Sequence, residues 1–139
     1  MADDTKIPGI IPLVKREVVL LLEAGYLCME LNKYDEAEEI FVGVSAMIPH
    51  SDVPHTALGN LYFSQGHFTP ALKAHQKAIE LNAESAAAYA GAAEALFFLK
   101  KIPEAMSAAD KAIELDPEGP AGQFARSLKE ARSLGIFSA

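Results

Sequence analysis

Four histidines and one cysteine are the side chains of this 139-residue chain best suited to binding a metal ion or acting as a nucleophile. The histidines are His50, His55, His67 and His75, and no two of them stand four residues apart, the spacing that puts two ligands on one face of a helix. Cys28 falls at a core position of a predicted helix, where a small buried residue is expected. These residues therefore predict neither a metal site nor a catalytic centre.

Phosphate-binding loops and cofactor sites are not predicted either. Gly25, Gly59 and Gly91 fall inside predicted helices rather than in a glycine-rich loop. The chain has 12 basic and 19 acidic residues, a net charge of −7, and a surface of that sign repels nucleic acid and anionic lipid. We therefore expect a protein that is not an enzyme, needs no cofactor, binds no nucleic acid and does not insert into a membrane.

The N-terminal residues and the lengths of the apolar runs indicate where in the cell the protein is expected. Met1 is followed closely by acidic residues, whereas a secretory signal needs a basic start and then an apolar run. The longest apolar stretch, residues 18–22, is far shorter than the roughly 20 residues of a membrane helix. A single cysteine fits a reducing compartment. We expect a cytoplasmic protein.

A period of 34 residues organises the chain. Ala37, Ala71 and Ala105 are separated by this interval, and each follows a larger apolar residue by three positions. Seven residues after each alanine stands another apolar residue: Val44, Ala78 and Ala112. Because no insertion or deletion interrupts the period, we infer a stack of repeated structural units that bury a continuous core between neighbours.

The pattern resembles the tetratricopeptide repeat (TPR) family, most completely in the middle repeat, which carries Leu58-Gly59, Tyr62, Phe68, Ala71 and Ala78. The resemblance implies an all-α, right-handed superhelix of three antiparallel helical hairpins with a C-terminal capping helix. His75 stands where the family usually has an aromatic residue. We assign an N-terminal apolar segment (1–17), three repeats (18–51, 52–85 and 86–119), and a capping helix with tail (120–139). The expected repeat helices are 14–31, 34–47, 52–65, 68–81, 86–99 and 102–115.

The N-terminal apolar segment has two interpretations. Its isoleucines, leucine and valine are interrupted by Pro8, Gly9 and Pro12. In one interpretation the segment covers the open edge of the first hairpin. In the other it forms a homodimer contact or becomes ordered on a partner.

The first helix of each repeat carries a second apolar face, beyond the residues that pack against its own hairpin partner. By resemblance to TPR proteins, this face lines a concave groove that binds a protein or peptide. Its aromatic anchors would be Tyr26, Phe63 and Phe97, with Asn60 as an amide for the ligand backbone. In the alternative interpretation, some of these residues are plain core. The full set of predicted groove residues is Leu22, Tyr26, Met29, Val53, Thr56, Asn60, Phe63, Ala87, Ala90, Glu94 and Phe97.

An acidic peptide is not the expected ligand of this groove. TPR proteins that bind the acidic C-termini of heat-shock chaperones use a lysine and, four residues later, an asparagine. Asn60 matches that asparagine, but Leu22, Thr56 and Ala90 occupy the lysine-type positions, and Glu94 would repel a carboxylate. We therefore expect a partner with an apolar segment.

The stretch from Ala24 to Phe41 resembles the first repeat of bacterial type III secretion chaperones. That resemblance implies a cytoplasmic chaperone of a Gram-negative bacterium, holding an apolar segment of a secretion substrate or export-apparatus component. Three alternatives stay open: a TPR adaptor in another multiprotein complex, a regulatory subunit of an enzyme, and a fragment of a larger TPR protein.

Overall fold

The computed structural model describes residues 10–138, and within this range the chain forms seven α-helices and no strands. Helices α1 and α2, α3 and α4, and α5 and α6 pair as hairpins, and α7 follows the third hairpin. The predicted all-α fold of three hairpins and a C-terminal helix is confirmed. The helices are α1 (Ile10–Glu30), α2 (Tyr34–Met47), α3 (Val53–Ser64), α4 (Phe68–Leu81), α5 (Ala86–Phe98), α6 (Ile102–Leu115) and α7 (Pro120–Ser133).

The observed bounds follow the 34-residue period closely. The second helices α2, α4 and α6 begin and end at the predicted residues. Helix α1 begins at Ile10, four residues before its predicted start. Pro12 is compatible with this start because it lies in the first turn, where the missing N–H leaves no hydrogen bond unmade. Residues 1–9 lie outside the described range, so the role of the N-terminal segment as an edge cover or homodimer contact stays a prediction.

The turn inside each hairpin repeats the same backbone geometry. Asn32, Gly66 and Lys100, one period apart, have φ values of 61°, 79° and 65° in the left-handed region. The N–H of the following residue donates to the carbonyl five residues earlier, at 2.7 Å for Lys33 and 2.9 Å for its two equivalents. This Schellman closure satisfies the last carbonyls of the first helix and reverses the chain.

His75 occupies the junction of α3, α4 and α5, in the core of the stack. Its side chain is 1% exposed, and its ring fills the space left by Gly59 and Gly91, where any Cβ atom would overlap the ring. The Nδ1 atom has no hydrogen-bond partner among the described residues. Burial lowers the pKa of His75 to about 4, so this histidine is neutral at physiological pH and serves as a packing ring.

The C-terminal helix α7 is fixed at both ends. At its start, the Asp116 carboxylate accepts the Ala121 N–H at 3.2 Å. Beyond its end, Phe137 folds back and stacks on Phe97 with ring centroids 5.0 Å apart. Of the apolar tail residues, Phe137 is buried, whereas Leu134 and Ile136 stay exposed.

Within the described part of the chain, none of the helices combines the length and the apolar character needed to cross a bilayer.

Candidate binding groove

A cavity of about 220 Å³ opens between α3, α5 and α7, on the faces of α3 and α5 where the sequence predicts groove residues. Five of the eleven predicted groove residues meet here, and four further residues complete the lining. The predicted ones are Thr56, Asn60, Ala87, Ala90 and Glu94, and the others are Gly91, Pro120, Ala121 and Phe124. We call this space the α3–α5–α7 cavity.

Tyr26 extends the same surface onto α1. Its hydroxyl accepts a hydrogen bond from Asn60 Nδ2 at 3.0 Å, which joins equivalent positions of the first two repeats. Its ring packs on Phe41 at a centroid distance of 5.2 Å and remains 38% exposed. Burial raises the pKa of Tyr26, an effect that the bond from Asn60 partly offsets. Tyr26 is thus an aromatic side chain held in a fixed position beside the cavity.

We expect the Tyr26→Phe variant to lose about 0.5 kcal/mol of unfolding free energy, because it removes one partly exposed hydrogen bond while keeping the ring. Urea denaturation of Tyr26→Phe, Asn60→Ala and the double variant measures the coupling between the two side chains. Strictly additive losses would show that this hydrogen bond contributes nothing in solution.

Glu94 gives the cavity its charge. Burial raises the pKa of this carboxyl group to about 7. No hydrogen bond or ion pair joins its side chain to any other residue between 15 and 138. None of the residues that line the cavity is Lys, Arg or His. The cavity therefore presents an acidic group without a protein counter-charge.

Several predicted groove residues do not line the cavity. Phe97 is 0% exposed and packs against Phe137, so its ring lies in the core, in line with the alternative interpretation, and is not open to a ligand. Phe63 is half-buried in an aromatic cluster with Phe68 and Phe98, at centroid distances of 5.1 and 4.9 Å, and supports the fold more than it offers a free ring. Both residues lie near the ends of their helices, where Phe68 and Phe98 pack on Phe63 and Phe137 packs on Phe97.

The remaining predicted residues divide between core and surface. Leu22 and Met29 on α1 pack, partly buried, against the cluster formed by α2 and α3. Val53 is exposed but does not line the cavity. Leu22 and Met29 therefore pack against the core, as the alternative interpretation predicts.

Sequence reasoning missed the wall of the cavity that α7 provides. Ala121 and Phe124 stand one period after Ala87 and Ala90, so α7 occupies the place of a fourth first helix. Phe124 is 40% exposed, which makes it an aromatic surface facing the cavity. Extending the 34-residue period by one more unit would have found these residues.

The histidines and the cysteine do not converge on a site. Within residues 10–138, no group of three or more His, Cys, Asp or Glu side chains is arranged to hold a metal ion. Cys28 is a free thiol that packs, half-buried, against the cluster formed by α2 and α3.

Two protein-family models match this chain. Both models are described as the tetratricopeptide repeat, at residues 19–44 and 56–120, which together make up more than half of the chain.

One curated relative is RNA polymerase II-associated protein 3 from Mus musculus, 30% identical over 103 residues. The match covers 74% of this chain but only 16% of the mouse protein. Among solved structures, the first TPR of Spaghetti (RPAP3), bound to the HSP90 peptide SRMEEVD, is 27% identical with a TM-score of 0.71, covering 85% of this chain and 94% of that one. The type III secretion translocator chaperone SycD of Yersinia enterocolitica is 17% identical with a TM-score of 0.73, covering 84% and 90%.

Proposed function

Because this chain belongs to the tetratricopeptide-repeat family, we propose that it is a peptide-binding adaptor within a larger assembly. It would hold a segment of a partner protein against the faces of α1, α3, α5 and α7 around the α3–α5–α7 cavity. The observation that carries this proposal is the cavity itself, since five residues from two repeats and a third wall from α7 converge on one open space.

The peptide complex of the Spaghetti TPR supports the adaptor proposal, because that domain is similar along most of its length and binds a peptide. The type III chaperone hypothesis has weaker support. At 17% identity, the likeness to SycD concerns the fold alone. The relative from mouse also gives no support to a bacterial origin. The adaptor, which the sequence left as an alternative, is therefore the function we propose.

The acidic peptide of the Spaghetti complex is not the ligand we propose for this chain. Glu94 lies in the cavity, and none of the lining residues carries a positive charge. An acidic tail would meet a carboxyl group there and no cationic side chain to bind it. An apolar segment remains compatible with the alanines and with Phe124.

The adaptor proposal predicts that blocking the cavity abolishes peptide binding. Peptides of about 12 residues are first selected from a displayed random library on the wild-type chain. We expect Ala87→Arg to weaken the selected peptides at least about tenfold, because a long side chain at this exposed position fills the entrance to the cavity. Fluorescence polarisation of labelled peptides measures the change in Kd.

Ala46→Arg is the matched control, because Ala46 is also an exposed helical alanine but lies on α2, outside the cavity. It should bind the same peptides with unchanged Kd. Binding that survives Ala87→Arg and is lost in Ala46→Arg would place the ligand on the opposite surface and reject the groove.

A further inference from the structure

Tyr26, Asn60 and Glu94 form a series of equivalent positions, one period apart, on α1, α3 and α5. Asn60 uses its Nδ2 to donate to the Tyr26 hydroxyl at 3.0 Å. Its Oδ1 accepts no hydrogen bond from residues 15–138, so this oxygen is available as an acceptor beside the second N–H of Nδ2. The next position, Glu94, offers only acceptors when its carboxyl group is ionised. Both side chains line the α3–α5–α7 cavity.

Thr56 adds a third acceptor to the same cavity. Its hydroxyl donates to the carbonyl of Asp52 at 3.3 Å, so the lone pairs of its oxygen remain available. The lining residues supply no cationic side chain in return. The cavity therefore has three acceptor groups, one of them a carboxyl group, and lacks the positively charged donor that would complement them.

The rest of the lining is apolar. Three alanines present methyl groups, Gly91 presents only backbone, and Pro120 and Phe124 present rings; the alanines are Ala87, Ala90 and Ala121. A space of about 220 Å³ with such walls suits a flexible hydrocarbon stem that carries a polar head. Lysine has such a stem, and its ammonium group has three donors and no acceptor.

Glu94 has no counter-charge among residues 15–138. Burial already raises the pKa of this group to about 7, because the ionised form is poorly solvated in the cavity. No residue between 15 and 138 bonds to the carboxyl group. A cation bound in the cavity would stabilise the ionised carboxylate.

We infer that the α3–α5–α7 cavity is a specificity pocket for one lysine side chain of the bound segment, with Glu94 as its counter-charge and Asn60 and Thr56 as further acceptors. The lysine stem lies along the alanines and the ring of Phe124. This inference rests on the proposed function and names the chemistry by which that groove selects its peptide.

The test uses blocked pentapeptides, acetylated and amidated so that only the central side chain varies among four alanines. The central residue is lysine, norleucine or glutamate, and norleucine has the lysine stem without its charge. Titration of the ¹⁵N-labelled chain should give saturable shifts at Ala90, Gly91, Glu94 and Phe124 with the lysine peptide. Its Kd should be at least about tenfold lower than that of the norleucine peptide. The glutamate peptide should cause no saturable shift.

Glu94→Gln and Glu104→Gln form the matched pair of variants, since Glu104 lies exposed on α6, away from the cavity. Glu94→Gln should reduce the preference for lysine over norleucine to less than about twofold, while Glu104→Gln should leave it near tenfold. A lysine preference that survives in Glu94→Gln would overturn the inference. So would equal binding of the norleucine peptide to the wild type, or the lack of any saturable shift with the lysine peptide.

The two proposals fail separately. If Ala87→Arg abolishes binding of the selected library peptides but lysine gives no advantage, the groove is correct and the lysine pocket is wrong. If the lysine peptide binds in the cavity but the library peptides are indifferent to Ala87→Arg, the cavity takes a cation and the adaptor groove is wrong.

Discussion

Replacing Gly122 with alanine will lower the free energy of unfolding by about 2 kcal/mol or more. Gly122 is buried in the first turn of α7, and a Cβ atom at this position would overlap the backbone carbonyl oxygen of Asp116. Because the obstacle is backbone, no rotation of a side chain relieves the overlap, and α7 must move away from the third hairpin. Urea denaturation followed by circular dichroism measures the loss.

Gly43→Ala is the control for this prediction. Gly43 also lies inside a helix, α2, but nothing stands within 4 Å of the position that a Cβ atom would take there. Alanine at this position should stabilise the protein by about 0.5–1 kcal/mol, because it restricts the unfolded chain and favours helix. If Gly122→Ala were as stable as Gly43→Ala, the close packing of α7 on Asp116 would be wrong.

The second large effect is acid destabilisation through His75. In the folded protein its pKa is about 4, below its ordinary value of 6.5, so the unfolded chain binds the proton more readily. Stability from this group is complete above pH 6.5 and is lost as the pH falls from 6.5 towards 4. At about 1.4 kcal/mol for each pH unit, the loss reaches about 3 kcal/mol.

His75→Phe should remove this loss, because phenylalanine keeps an aromatic ring between Gly59 and Gly91 but cannot be protonated. The measurement is the unfolding free energy of both proteins at several pH values between 7.5 and 4. The difference between the variant and the wild type should grow in favour of the variant as the pH falls. A difference that stays constant across this range would mean that His75 titrates normally in the folded protein.

Glu94 acts in the opposite direction over an overlapping range. Its folded pKa is about 7, above the ordinary value of 4.5, so the folded protein binds this proton more readily than the unfolded chain. Stability from Glu94 is therefore gained as the pH falls from 7 to 4.5, and Glu94→Gln should lack that gain. The wild-type profile combines the two opposing contributions, so the His75 effect is read from the difference between variants.

The helical architecture could be predicted because it repeats. A period that recurs three times without interruption defines each helix and turn independently, and the second helices have the predicted bounds. The left-handed residue of each hairpin turn shows why residue type at one position predicts the turn less well than the 34-residue period does. Gly66 is well suited to a positive φ, whereas Lys100 adopts nearly the same value because the period and the hairpin packing require it.

The cavity could be predicted only in part. Thr56, Asn60, Ala87, Ala90 and Glu94 could be found because their shared position on the first helices follows from the period. The burial of Phe97 could not be predicted, because spacing along one helix does not reveal what folds back over that helix. Phe137 covers Phe97 from a distance of 40 residues in sequence.

The sequence by itself determined the all-α repeat, the net negative charge and the lack of a cationic side chain at the lysine-type positions. These properties depend on residue type and interval, which can be read along the chain. The tertiary structure alone decided that α7 forms one wall of the cavity, that Glu94 is partly buried without a partner among the described residues, and that His75 is a buried neutral ring. These properties depend on burial, and burial is set by contacts between helices distant in the sequence.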